Sequence, residues 1–173
     1  MDRQRMFTVV IIIITVSCIA LCMIHLNGWS LDFSDRQLVL IVSDSMEGDP
    51  TDFEIDTIEK DSLIMVKSID SDEERSRLKV GDVIQFNYFG ILDHHRIITN
   101  DSEARTIQTK GDNSDAVENV PYWNVLGKVV GKDHLAGLAV SFIRSYWLML
   151  IPAIIASIAA LELYKDRKKR DEA

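Results

Sequence analysis

Two long apolar runs lie near the ends of the chain and most constrain how it can fold. The first, residues 7–26, has twenty consecutive residues without Asp, Glu, Lys or Arg. As an α-helix it would be about 30 Å long, the thickness of the bilayer hydrocarbon core. The second run, residues 145–164, is apolar apart from Glu162 near its end and has Pro152 inside it. We predict that both runs are transmembrane helices.

A cleavable signal peptide is the alternative interpretation of the first run. Such peptides normally have a shorter apolar region that ends in a site with two small residues, whereas this run ends in Ile24-His25-Leu26. Basic residues precede the first run and follow the second, which indicates that both chain ends are cytoplasmic. We therefore predict a two-pass protein of the plasma membrane, or of the endoplasmic reticulum if the cell is eukaryotic. Its expected segments are a cytoplasmic N-terminus (1–6), a helix (7–26), an extracytoplasmic β-rich domain (27–144), a second helix (145–164) and a basic cytoplasmic tail (165–173).

The region between the two runs is strongly acidic. Residues 27–144 have 22 Asp and Glu against 12 Lys and Arg, a net charge of −10. A nucleic-acid partner is not expected, because binding phosphates requires a positive surface. The only cysteines, Cys18 and Cys22, lie in the first apolar run, so the outer domain is expected to fold without disulfides. Ligand clusters spaced for a metal and glycine-rich phosphate loops are absent from the sequence, and we expect no metal or cofactor.

Short β-branched and alternating segments recur through this outer region. Residues 47–61 interrupt them with seven acidic residues, a glycine and a proline, and are predicted to form a loop. The pattern favours a mostly β domain, either a small barrel or a folded sheet. The six predicted strands are residues 39–42, 62–66, 83–88, 96–99, 105–109 and 125–130.

Within this β-rich region the residues that could carry chemistry are a serine, a histidine and several carboxylates. Ser45 follows a predicted strand, where a serine more often satisfies local backbone groups than acts as a nucleophile. A serine hydroxyl needs a neighbouring base at neutral pH, and imidazole suits that task. His95 is the preferred candidate, with His94 as the alternative. The candidates for a carboxylate that orients the imidazole are Asp112, Asp115 and Glu118.

Four motifs occur in a fixed order along this region: Ser43-Asp44-Ser45-Met46, Gly81-Asp82-Val83-Ile84, His95-Arg96 and Thr109-Lys110-Gly111-Asp112-Asn113. Together they make the chain similar to the type I signal peptidases, membrane-bound serine proteases that remove signal peptides. Bacterial members usually have lysine where this chain has His95, so the chain resembles the endoplasmic-reticulum and archaeal branch, which uses histidine. The resemblance covers about residues 39–131.

The resemblance implies a role for each matched residue. Ser45 would be the nucleophile and His95 its base, with Glu118 or else Asp115 orienting the imidazole and Asp112 supporting the acidic cluster. The Ser45 N–H and the Ser43 hydroxyl would stabilise the oxyanion. The implied activity is hydrolysis of exported preproteins after small residues in an Ala-x-Ala pattern. The implied partners are those preproteins, the lipid bilayer and the secretion machinery.

Departures from the family pattern keep a second hypothesis open. The family usually has glycine where Asp44 stands, proline where Gly48 stands and aspartate where Glu118 stands. The substitutions at Asp44 and Glu118, together with the long acidic loop 47–61, support a catalytically inactive, signal-peptidase-like membrane subunit that binds or scaffolds exported chains. A third hypothesis, a two-span adhesion or sensor module, explains the apolar runs but not the four motifs.

Overall fold

Eight strands and two helices account for most of the regular structure. The computed structural model describes residues 30–171, together with residues 13, 14 and 17. A short 3₁₀ helix, Tyr122–Asn124, precedes the last strand. The strands are β1 (Ser30–Phe33), β2 (Arg36–Leu40), β3 (Leu63–Ser68), β4 (Val83–Tyr88), β5 (Ile91–Asp101), β6 (Thr106–Lys110), β7 (Val117–Pro121) and β8 (Val125–Asp133), and the helices are α1 (Asp72–Ser76) and α2 (His134–Asp171).

All eight strands belong to one antiparallel sheet, in the order β1-β2-β3-β8-β4-β5-β6-β7. The prediction of a mostly β domain is therefore confirmed. Of the two forms expected, a closed barrel is wrong, because β1 and β7 are the free edges of an open sheet among the described residues. Placing β8 between β3 and β4 brings the N-terminal strands and the β4–β7 meander into one sheet.

The two edge strands were not predicted from the sequence. The four-residue β1 and the five-residue β7, Val-Glu-Asn-Val-Pro, each pair with one neighbour only. An edge strand tolerates proline and polar residues that a central strand does not. The apolar run 39–42 is also only partly a strand. β2 ends at Leu40, and the next residue, Ile41, instead exchanges backbone hydrogen bonds with residues 61 and 62 and is buried.

A helix lies within the polar connection that follows β3. Ser71 caps α1, because its side chain accepts a hydrogen bond from the Glu74 N–H while the Glu74 carboxylate accepts one from the Ser71 N–H. This reciprocal pair satisfies two donors that a helix start otherwise leaves free. The capping box fixes where the short helix begins.

Two clusters of buried side chains form the core. One lies on the β4–β7 meander and includes Ile84, Phe86 and Ile97. The other joins Met46, which is 1% exposed, to strand residues and to Ile58 from the loop 47–61. Burying a side chain of this size typically contributes about 1.5–3 kcal/mol. The acidic loop, which has no helix or strand of its own, is therefore packed into the core through its apolar residues.

The long helix α2 is divided between two structural units, since residues up to Ser141 group with the sheet and those from Phe142 onward do not. The second predicted span, residues 145–164, lies inside α2. The first, residues 7–26, lies outside the described residues apart from 13, 14 and 17. Among the described residues, no helix is long and apolar enough to cross a bilayer. Both spans stay predictions.

Candidate active site

Ser45 lies in an irregular segment that two buried neighbours hold in place. After β2, the chain buries Ile41 and Met46, and the Met46 carbonyl accepts hydrogen bonds from the Thr57 hydroxyl and the Ile58 N–H, both at 2.8 Å. Ser45 itself is half-buried. Its Oγ lies 3.3 Å from Ser43 Oγ, so the two predicted oxyanion contributors are neighbours.

Gly111 brings Ser45 and His95 together. The Ser45 carbonyl accepts a 2.8 Å hydrogen bond from the Asn113 N–H, which holds this segment against the turn after β6. A β-carbon placed on Gly111 would be 2.6 Å from the Ser45 carbonyl oxygen and 3.1 Å from His95 Nε2. Both groups therefore lie against the same glycine, and an added β-carbon would clash with the carbonyl oxygen and lie in tight contact with the ring nitrogen.

His95 and Glu118 form a buried pair on neighbouring parts of the sheet. His95 Nδ1 lies 3.1 Å from Glu118 Oε2, and the Thr109 hydroxyl donates to the same oxygen at 3.1 Å. The register of β6 and β7 places Thr109 directly opposite Glu118. The side chains of His95 and Glu118 are 6% and 12% exposed. When Nδ1–H donates to Glu118, Nε2 carries the lone pair that could accept a proton.

The other ring nitrogen of His95, Nε2, is buried and has no hydrogen-bond partner among the described residues. The Ser45 hydroxyl is therefore not hydrogen-bonded to it. Asp93 Oδ1 lies 3.7 Å from Nε2. Active-site hydrogen bonds are often long in a free enzyme and shorten when substrate binds.

The two other candidate carboxylates contact cations instead of His95. Asp112 receives two hydrogen bonds from Arg96, at 2.8 Å and 2.6 Å, and this pair is buried. Asp115 is fully exposed and lies 3.4 Å from Lys110 Nζ. Of the three carboxylates, Glu118 is thus the one that the structure places on the imidazole.

Arg96 links the acidic loop to the site, a role that the sequence motif did not reveal. Its guanidinium donates to the carbonyls of Ile55 and Gly81 at 2.8 Å and of Asp56 at 3.3 Å, and it stacks on the Phe53 ring. Because five donors in a planar fork match several acceptors at once, arginine suits this position better than lysine. The position of Arg96 directly after the histidine was the only sequence signal for it.

His94, the alternative base, has different surroundings from His95. Adjacent strand residues point to opposite faces of a sheet, so His94 reaches Gln85, at 3.2 Å, whereas His95 reaches Glu118. Burial lowers the pKa of His94 to about 4. His94 is therefore uncharged near neutral pH.

Several further residues that position the site were not singled out from the sequence. Thr109 and Gly111 lie within a matched motif, but their types gave no sign of the contacts they make. Asp93 and Arg96 flank the two histidines. No group of three or more His, Cys, Asp or Glu side chains among the described residues is arranged to hold a metal ion.

The His95 ring contacts Glu118 through Nδ1, and both the ring and the Ser45 backbone carbonyl lie against Gly111. Comparison with known proteins finds no matching family model, no matching curated protein and no matching solved structure.

Proposed function

We propose that the chain is a membrane-bound serine endopeptidase that removes signal peptides from exported preproteins. The observation that carries the proposal is the contact of Gly111 with both Ser45 and the His95 ring, together with the Glu118 carboxylate on the other side of that ring. Unrelated serine proteases use a nucleophile, a base and an orienting acid, and Ser45, His95 and Glu118 supply these three residue types. The predicted spans, residues 7–26 and 145–164, would keep the site at the outer surface of the membrane.

In the proposed mechanism, Ser45 Oγ attacks the scissile carbonyl while His95 Nε2 takes the hydroxyl proton. Glu118 stabilises the resulting imidazolium through Nδ1. His95 then gives the proton to the departing amine, which leaves an ester on Ser45 that a water molecule hydrolyses. The Ser45 N–H and the Ser43 hydroxyl stabilise the negative oxygen of the tetrahedral intermediate. Losing one such donor typically raises the barrier by about 3 kcal/mol.

A site for an extended substrate lies on β5. The first part of this strand, residues 91–95, pairs with β4, whereas pairing with β6 starts only at Arg96. Among the described strands, β4 is thus the single neighbour of residues 91–95. A substrate peptide could add to this edge through main-chain hydrogen bonds, which tolerate varied sequences. Such binding would bring the peptide next to His95, and small pockets would select the Ala-x-Ala pattern.

Confinement to a membrane supports the proposed choice of substrate. Preproteins that are still attached to the bilayer by their signal peptides share its surface with the proposed enzyme, which raises their effective concentration without new contacts. The secretion machinery that delivers these chains is the corresponding partner. The acidic character of residues 27–144 fits a soluble exterior and disfavours nucleic acid as a ligand.

The proposal is tested with the full chain in detergent and a preprotein that has an Ala-x-Ala cleavage site. Ser45→Ala should lower kcat by about 10³-fold or more, because the nucleophile is lost. Ser76→Ala is the matched control, since its hydroxyl bonds only the Glu73 carbonyl on the exposed helix α1. Cleavage retained by Ser45→Ala would reject the mechanism.

One observation favours the second candidate function, a catalytically inactive membrane subunit that binds or scaffolds exported chains. No hydrogen bond joins Ser45 and His95, whose Nε2 is without a partner among the described residues. An inactive subunit would bind the preprotein in both the wild type and Ser45→Ala and release no cleaved product from either. Product formed by the wild type alone would exclude it.

A further inference from the structure

Asp93 is the nearest charged group to the free nitrogen of His95. The pairs Phe86–Asp93 and Ile84–His95 in the β4–β5 register place both side chains on the same face of β5. Asp93 Oδ1 lies 3.7 Å from His95 Nε2 and accepts a 2.8 Å hydrogen bond from the His94 N–H. This backbone bond fixes the direction of the oxygen, so the short separation does not depend on a freely rotating side chain.

We infer that Asp93 is a positioning residue that makes His95 a stronger base by placing a negative charge beside the nitrogen that takes the Ser45 proton. The inference rests on the proposed function. The four motifs do not include Asp93, which would act together with Glu118. Glu118 contacts Nδ1 and Asp93 faces Nε2, so the two carboxylates lie on opposite edges of the ring.

Asp93 and Glu118 are the dominant charged groups around His95. From its own strand, His94 is uncharged at neutral pH because burial lowers its pKa to about 4. Arg96 is paired with Asp112, and Lys110 at the end of β6 lies beside Asp115. Neither cation therefore offsets the charge of Asp93 at Nε2.

The charge of Asp93 affects the proton that His95 takes from Ser45. A carboxylate near the Nε2 lone pair disfavours the neutral ring and favours the imidazolium that forms when Ser45 loses its proton. Asp93 does not itself take the proton, which passes from Ser45 Oγ to Nε2 and then to the departing amine. Its side chain is 39% exposed, so solvent screening keeps the effect modest.

The test replaces Asp93 with Asn in the full chain and measures two quantities. The first is the pH dependence of kcat/KM for the preprotein. The acid limb should move to lower pH, and the plateau should fall by about two- to five-fold because the base is weaker. Asp101→Asn, which removes the same charge from the far end of β5, should leave both values unchanged.

The second quantity is the titration midpoint of the His95 ring, followed by NMR in the Ser45→Ala background, where no turnover is needed. Asp93→Asn should lower this midpoint, because it removes the negative charge that lies 3.7 Å from Nε2. A midpoint that does not move would overturn the inference even if the wild type cleaves preproteins. A midpoint that moves in a chain without activity would support the electrostatic contact while the proposed function fails.

Discussion

The two halves of the candidate site are built in different ways. The base half, His95, Thr109 and Glu118, lies on three adjacent strands of the sheet, β5, β6 and β7. The nucleophile half, residues 43–46, has no strand and is positioned by separate hydrogen bonds from Thr57, Ile58 and Asn113. One half is thus part of the sheet, and the other is attached to it.

This difference indicates which half moves when substrate binds. Moving the backbone of Glu118 relative to that of His95 would require a slip of a whole strand, which a buried face strongly opposes. Residues 43–46 can shift by adjusting a few bonds, since no ladder holds them. We therefore expect that the gap between Ser45 Oγ and His95 Nε2 closes by movement of the nucleophile half toward a fixed base.

The largest loss of activity is expected from removing the charge of Glu118, the carboxylate of the base half. Glu118→Gln keeps the shape but removes the charge that orients and stabilises the imidazolium, and kcat should fall by about 10³-fold. Asp115→Asn is the matched comparison, because its side chain is exposed and lies beside Lys110. Equal losses in the two variants, measured as preprotein cleavage at pH 7.5, would contradict the assignment of Glu118.

A second prediction separates the two histidines of β5 by their effect on stability. The folded pKa of His94 is lowered to about 4 from an ordinary value of 6.5, so between these values the unfolded chain binds a proton that the folded chain does not. Stability therefore falls as pH drops from 6.5 to 4, by about 3 kcal/mol in total from this group. This loss of stability is measured as the free energy of unfolding in detergent, which is determined by limited proteolysis in urea.

His94→Gln should flatten this part of the stability profile while leaving the acid limb of activity in place. The amide keeps a polar group near Gln85 but has no proton to gain. A stability profile as steep as that of the wild type would show that another group causes the acid sensitivity. An acid limb that disappears with His94→Gln would instead make His94 the base.

The sequence predicted central strands better than the contacts of the nucleophile half, for a physical reason. Residues 83–88 alternate with the period of a half-buried strand, and β4 has these bounds. Local periodicity in the sequence indicates which residues form a paired strand. The contacts of Thr57 and Asn113 with residues 45 and 46, in contrast, join distant parts of the chain. No local pattern encodes them.

The choice among the carboxylates shows the same limit. Spacing after Gly111 left Glu118 and Asp115 open, because the edge strand β7 has a weak sequence signal. Once β7 is present, Glu118 lies opposite Thr109 and beside the ring, while Asp115 precedes the strand. The loop 47–61 was recognised as a loop, but its buried apolar residues and its carbonyl contacts with Arg96 depend on tertiary packing.

A smaller loss of activity than that of Glu118→Gln is expected at Gly111, the glycine that lies against both halves. Gly111→Ala adds one methyl group where the Ser45 carbonyl and His95 Nε2 would be 2.6 Å and 3.1 Å away. The nucleophile half should be pushed from the base by a fraction of an ångström to about 1 Å, and kcat should fall by about 10²-fold. The sheet itself should change little, because residues 43–46 are not part of the ladder.

Gly131→Ala is the matched control for this substitution, since the nearest atom to an added β-carbon there is 3.9 Å away. It should keep wild-type activity. Thermal unfolding of both variants separates local displacement from loss of the fold, because only the first lowers kcat at an unchanged melting temperature. Full activity in Gly111→Ala would mean that Ser45 and His95 do not need the close contact through this glycine, and the comparison between an attached nucleophile and a fixed base would lose its basis.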